Sequence, residues 1–245
     1  MNEDLQLLRK IIKQNFKKTK KMLETKQNFC ILCGNEENIT KEHVIPRWAF
    51  EKNIDKFFIT TLNEAKQKYN STVVPCCYNC NSNLLKNFEN YLKTLLSKET
   101  KQFSFIEQRE IIFWLEYIDY KFQFLDLHRK FIKNFKNNQV IPYLRQIPLS
   151  LLYSNMPEEP EEVYELLKNS LKKLYRKKSI ISLNSLVIFK SKNKDFYFFH
   201  SFKNFIYIEL PQCEIALFYF FNKTFFEPQE AYEECIKILE KHYGK

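Results

Sequence analysis

Three short segments hold residues whose types and spacing suit chemistry. They are Cys30-Ile31-Leu32-Cys33-Gly34, then Lys41-Glu42-His43-Val44-Ile45-Pro46-Arg47-Trp48, then Val74-Pro75-Cys76-Cys77-Tyr78-Asn79-Cys80-Asn81-Ser82. Cys30 and Cys33 are two residues apart, as are Cys77 and Cys80. Such turns let both thiolates face one zinc ion at about 2.3 Å. Gly34 suits a knuckle whose backbone amides turn toward sulfur. Two pairs of this kind read as a structural four-cysteine zinc site. Cys76 competes with Cys77 as the third ligand; the Cys77–Cys80 spacing is the commoner one and is preferred. The alternative for all of them is a set of buried apolar thiols. Cys213 and Cys235 sit in apolar patterns and read as core. A closed four-thiolate site leaves no open position for a substrate, so any chemistry must come from what the zinc clamps.

What it clamps is Glu42-His43 between the pairs and Asn81 directly after the last cysteine. In this order CILCG, EHVIPRW and CYNCN resemble the HNH endonuclease family, the zinc-stapled branch of the ββα-metal nucleases. The resemblance covers about residues 28–97 and implies a role for each matching position. His43 matches the general base that activates the attacking water. Glu42 matches the acidic ligand of a catalytic divalent ion, Mg2+ or Mn2+. Asn81 matches the terminal His or Asn that completes that ion's site, which makes this an H-N-N variant. Pro46 matches the proline that ends the first strand. The family's middle Asn stands a few residues before the second zinc pair. Here Thr72 holds that position, and the nearest Asn is Asn70; Asn70 is preferred, with Thr72 as the alternative.

The chemistry is consistent with those roles. A histidine near its ordinary pKa can take a proton from water at neutral pH. Carboxylate and amide oxygens are hard donors that suit a phosphate-bound ion. Arg47 and Lys41, beside the base, are placed to hold a phosphate. Arg47 serves equally well in a surface ion pair, and Trp48 reads as core. Glu89 lies two helical turns beyond Asn81, where it pairs with a lysine or orients a site group. His128, His200 and His242 have no partners at metal spacing.

The elements that must position these residues follow from periodicity. Residues 3–25 form an amphipathic helix through Leu5, Leu8, Ile12 and Phe16. Residues 28–80 lose that period and carry short extended pieces such as 72–74. A helix opens near Asn81 or Ser82, either serving as its N-cap, and buries Leu84, Leu85, Phe88, Leu92 and Leu95. A long amphipathic helix over 106–136 follows, then a proline-marked loop, then a helix over 161–177. The runs SLVIFKS, DFYFFHSF, NFIYIEL and CEIALFYFF predict a small antiparallel sheet with a largely buried aromatic core. A last helix begins near Pro228. The expected class is α+β. A basic helix (1–27) precedes a ββα-metal domain with a zinc knuckle (28–100), and a helical and antiparallel-β accessory domain (101–245) completes it.

Composition narrows the function classes. The 245 residues hold only two glycines, where average use gives about seventeen, so glycine-rich phosphate loops are excluded. Net charge is +10, and residues 1–26 alone carry eight basic against three acidic residues. That favours a polyanionic partner, nucleic acid first and DNA in particular. Lys17, Lys18, Lys20 and Lys21 are candidate phosphate contacts. The seven cysteines are an odd number, five of them lie between positions 30 and 80, and no signal peptide or membrane span is read, so the expected location is the cytoplasm. The expected activity is metal-dependent cleavage of nucleic acid. The alternatives are a zinc-stapled binding module that does not cleave, or the nuclease subunit of an antiviral or mobile-element assembly whose residues 101–245 dock a partner protein.

Overall fold

A computed structural model describes residues 2–25, 28–59, 66–133, 140–142, 160–175, 180–201 and 204–243. The class is α+β, with helices around antiparallel strand pairs. Helix α1 (Glu3–Thr25) lays Leu5, Leu8, Ile12 and Phe16 into the core and turns most of its lysines outward. Strand β1 (Ile39–His43) is followed by the single turn α2 (Arg47–Phe50). Strands β2 (Phe57–Ile59) and β3 (Lys66–Lys68) pair with each other, an element that the sequence pattern did not signal. Strand β4 (Val73–Cys77) returns antiparallel to β1, with Glu42 opposite Val74 and His43 opposite Val73.

The helix expected from Asn81 has a different start. Residues Cys80–Leu85 form a wide π-turn, and the α-helix α3 runs from Lys86 to Leu96. Neither Asn81 nor Ser82 caps it. The Asn81 amide is used instead across the gap to β1.

Helix α4 (Phe105–Lys130) is shorter than expected and differently placed. Its chain turns at Phe131 into strand β5 (Phe131–Lys133), paired with β6 (Val140–Pro142); residues 134–136 of the expected helix lie outside those described. The helix is not amphipathic in effect, because every residue from Glu110 to Leu127 is buried. Its buried charged residues meet polar partners from several sides. Glu110 accepts from the Asn2 backbone at 2.6 Å and from the Tyr91 hydroxyl. Glu116 accepts from Tyr219 at 3.0 Å. Asp119 takes Lys173 at 3.0 Å and His200 at 2.5 Å. Lys121 donates to Glu42.

Helix α5 (Pro160–Ser170) tightens into a 3-10 turn over Leu171–Tyr175, and residues 176–177 of the expected helix again lie outside those described. Strands β7 (Leu186–Lys190), β8 (Tyr197–Ser201), β9 (Phe205–Leu210) and β10 (Ile215–Phe220) form the expected antiparallel sheet, in the order β7-β10-β9-β8. Helix α6 (Pro228–Tyr243) opens at Pro228 as the sequence suggested. The sheet is covered on both faces. Ile206, Ile208, Ile215 and Leu217 join the main core, while Phe205, Phe218 and Phe220 pack with Ala231 and Cys235 of α6. Cys213 and Cys235 are core residues, as expected. Among the described residues, no helix is long and apolar enough to cross a membrane.

Candidate functional site

The cysteine centre is built from both ends of the β1–β4 region. Cys30 and Cys33 lie in the turn after α1, closed by the Gly34 amide donating to the Cys30 carbonyl at 2.8 Å. Gly34 adopts φ +70°, and a side chain there would press on the Lys18 stem at 3.0 Å, so the turn needs glycine twice over. Cys77 ends β4 and Cys80 opens the π-turn. The sulfurs of Cys30, Cys33, Cys77 and Cys80 all lie within 4.8 Å of one another. The Cys33 and Cys77 sulfurs are 3.7 Å apart. A tetrahedron of sulfurs around zinc has edges of about 3.8 Å, so the donor set fits a metal such as zinc.

Cys76 lies outside that set, yet its sulfur is 3.7 Å from that of Cys30. It points to the other face of the strand from Cys77, since neighbours on a strand alternate. Hydrogen bonds from the Cys76 and Cys80 thiols hold the Cys30 thiol far below its ordinary range. Burial, with the Cys30 charge adding to it, pushes Cys33 up to about 11. Thiols crowded in this way oppose one another's ionisation, and a divalent cation would favour the thiolate form of all four.

The two faces of β1 divide the remaining groups. Lys41 and His43 share the outer face, with Lys41 exposed and His43 half-buried. The His43 Nε2 lies 3.3 Å from Asn70 Oδ1. An amide oxygen only accepts, so in this contact Nε2 is the donor, which leaves Nδ1 without a hydrogen-bond partner among the described residues. Both candidates for the middle position are engaged. Asn70 meets the imidazole, while the buried Thr72 receives the Val44 amide on its carbonyl at 2.9 Å and donates Oγ1 to Lys68 O at 2.8 Å. Arg47 opens α2 and is exposed.

Glu42 faces inward. Its side chain is only 7% exposed and Oε1 accepts from Lys121 at 2.7 Å. Asn81 donates Nδ2 to Thr40 Oγ1 at 2.8 Å and to Lys41 O at 3.3 Å, which leaves Oδ1 for another partner. The hard oxygen donors here are the Glu42 carboxylate, engaged by Lys121, and Asn81 Oδ1. Glu89 is near Glu42: burial first, and the charge of Glu42 second, push its carboxyl up to about 8 against the pull of Lys121. The Tyr117 hydroxyl is buried with no hydrogen-bond partner among the described residues.

On α1, Lys17, Lys18 and Lys21 are exposed, while Lys20 is half-buried and donates to Asn169 at 3.0 Å. Sequence reasoning missed Lys121 and Tyr117. A charged residue inside the run Tyr117–Phe124, otherwise rich in aromatics, was the available signal. No family model, no curated protein and no solved structure matches the chain.

Proposed function

We propose that the chain is a metal-dependent endonuclease of the HNH kind, hydrolysing phosphodiester bonds in nucleic acid, with DNA as the first substrate to test. One observation carries this reading. The four-cysteine cluster joins the turn that precedes β1 to the end of β4 and the π-turn, and Asn81, directly after it, sits against β1 at 2.8 Å from Thr40 Oγ1. Asn81 thus rests on the strand that bears Glu42 and His43, although nearly forty positions separate them in sequence. In this reading zinc at Cys30, Cys33, Cys77 and Cys80 is structural.

His43 takes a proton from water at Nδ1, its Nε2–H being held by Asn70 at 3.3 Å. With its Oδ1 accepting, Asn70 favours the tautomer protonated at Nε2. A bound Mg2+ or Mn2+, held through Glu42 and Asn81, would supply charge stabilisation to the scissile phosphate and its leaving oxygen. Lys41 and Arg47, both exposed beside His43, hold the phosphodiester. Lys17, Lys18 and Lys21 add contacts that carry no sequence information.

A second reading is favoured by one feature. Glu42 is buried against Lys121 at 2.7 Å, an arrangement that suits a zinc-stapled binding module without cleavage. Supercoiled plasmid incubated with Mg2+ or Mn2+ separates the two. Nicking by wild type but not by His43→Ala supports the nuclease; tight binding without nicking by either supports the module.

A further inference from the structure

Lys121 is the least expected group near the candidate site. It lies at the centre of α4, outside the region that resembles a nuclease, and its side chain is 0% exposed. Its ammonium donates to Glu42 Oε1 at 2.7 Å and to the His43 carbonyl at 2.6 Å, and it sits 4.7 Å from the centre of the Tyr117 ring. A lysine is almost never buried in full without a pairing partner. Here both partners belong to consecutive residues of β1. Their side chains point to opposite faces, so the ammonium grips the strand end through one side chain and one main-chain carbonyl.

That grip has a consequence for the outer face. The plane of the peptide after His43 is fixed by its carbonyl, which Lys121 holds from the inside. The ring on the same residue meets Asn70 from the outside at 3.3 Å. The next amide, that of Val44, is itself tied to Thr72 O at 2.9 Å. The strand end therefore has three anchors, and the only charged one comes from α4.

We infer that Lys121 is a positioning residue for the pair Glu42-His43: it orients the His43 imidazole and the Glu42 carboxylate by holding the end of β1. The inference rests on the nuclease reading for its kinetic consequence, but its geometric part stands apart from it. Residues 101–245 then complete the centre rather than merely accompany it, since α4 supplies a group that the 28–100 region lacks.

The test uses the full chain with Lys121→Met, which keeps length and removes charge. Misplacing a catalytic group by about 1 Å can cost 100-fold in rate. The expected result is a loss of about 100-fold in kcat, with KM for plasmid and zinc content unchanged. The second readout is the His43 imidazole NMR resonance, identified among the four histidines by its absence in His43→Ala. It should shift in Lys121→Met. Asp119→Asn is the control: it disturbs another buried network of the same helix and should move His200 but not His43. Wild-type kcat with an unmoved His43 resonance would overturn the inference. If Lys121→Met fails to fold, Glu42→Gln with Lys121→Met removes both buried charges. Its His43 resonance, compared with that of Glu42→Gln alone, must then shift, and no shift overturns the inference. If wild type cuts nothing, the nuclease reading falls by itself. The resonance then decides: a shift in Lys121→Met upholds the positioning, and none ends it.

Discussion

The β1–β4 pair and the four-stranded sheet are both antiparallel, yet different physics holds them. Strands β9 and β10 are buried at every position, with rings such as Phe205 and Phe218 stacked at 4.9 Å. Apolar area supplies that region's stability, at about 25 cal/mol per Å2. The β1–β4 pair has two strands, which alone are marginal in water. Its inner face carries Glu42 and Cys76, and Thr72 beside it is also buried. Part of this half's core is therefore polar, and its ends are joined by sulfur. The half that carries the candidate chemistry thus buries polar groups and a four-cysteine cluster that could bind a metal such as zinc.

The largest break in that comparison is loss of the metal. Structural zinc contributes about 10–16 kcal/mol of apparent folding energy in small domains. Cys33→Ser or Cys80→Ser should abolish bound zinc, expected at about one per chain in wild type. Hydrogen-exchange protection should collapse in β1, β4 and α3 while β9 and β10 stay protected. Protection lost equally everywhere would show that the halves do not differ.

Phe218→Ala attacks the other half. Phe218 is fully buried between Phe205 and Phe220. Its truncation should cost about 3–5 kcal/mol, read as a lower denaturant midpoint. Zinc content should not change.

A pH effect sharpens the polar half. The Glu89 carboxyl titrates near 8 in the folded chain, against an ordinary value of 4.5. A group whose folded pKa is raised stabilises fully below its unfolded pKa. That stability is lost as pH rises through the folded pKa, here between about 4.5 and about 8. Glu89→Gln should flatten the fall in stability over this window, measured by thermal melts at several pH values. An unchanged slope would place the Glu89 carboxyl in water.

The smallest effect on stability belongs to the surface. Replacing Lys17, Lys18 and Lys21 by Ala should leave melting nearly unchanged but weaken DNA binding. Each lost phosphate contact lowers the salt slope by about 0.9. An unchanged slope would make these lysines a solvated face.

The same two regions differ in how far they could be read. The cysteine centre was legible because a two-residue spacing forces local geometry, whatever the rest of the chain does. The sheet was legible because four apolar runs alternate with short polar breaks. Helix α4 was not. Glu116, Asp119 and Gln123 recur at spacings that ordinarily mean a solvent face, Lys121 lies on the opposite side, and their partners Tyr219, His200, Ser170 and Glu42 are remote in sequence. No local pattern encodes a polar face that is buried by distant polar groups. The π-turn at Cys80–Leu85 was hidden for a related reason: its residues fit a helical period, while Cys80 and Asn81 find their partners far away in sequence. Asn70 was reached as an asparagine shortly before Cys77, and the structure sets its Oδ1 3.3 Å from the His43 Nε2.

The central claim is that His43 is a base drawing a proton from water beside a separately held metal. The most direct measurement is the initial rate of supercoiled-plasmid nicking at saturating Mn2+, wild type against His43→Ala, with zinc content and DNA affinity measured on the same samples. A general base contributes about 100- to 10,000-fold, so His43→Ala should nick at least 100-fold more slowly. Zinc and affinity should be unchanged, and added Mn2+ should not rescue the rate. Equal rates in the two proteins would contradict the account.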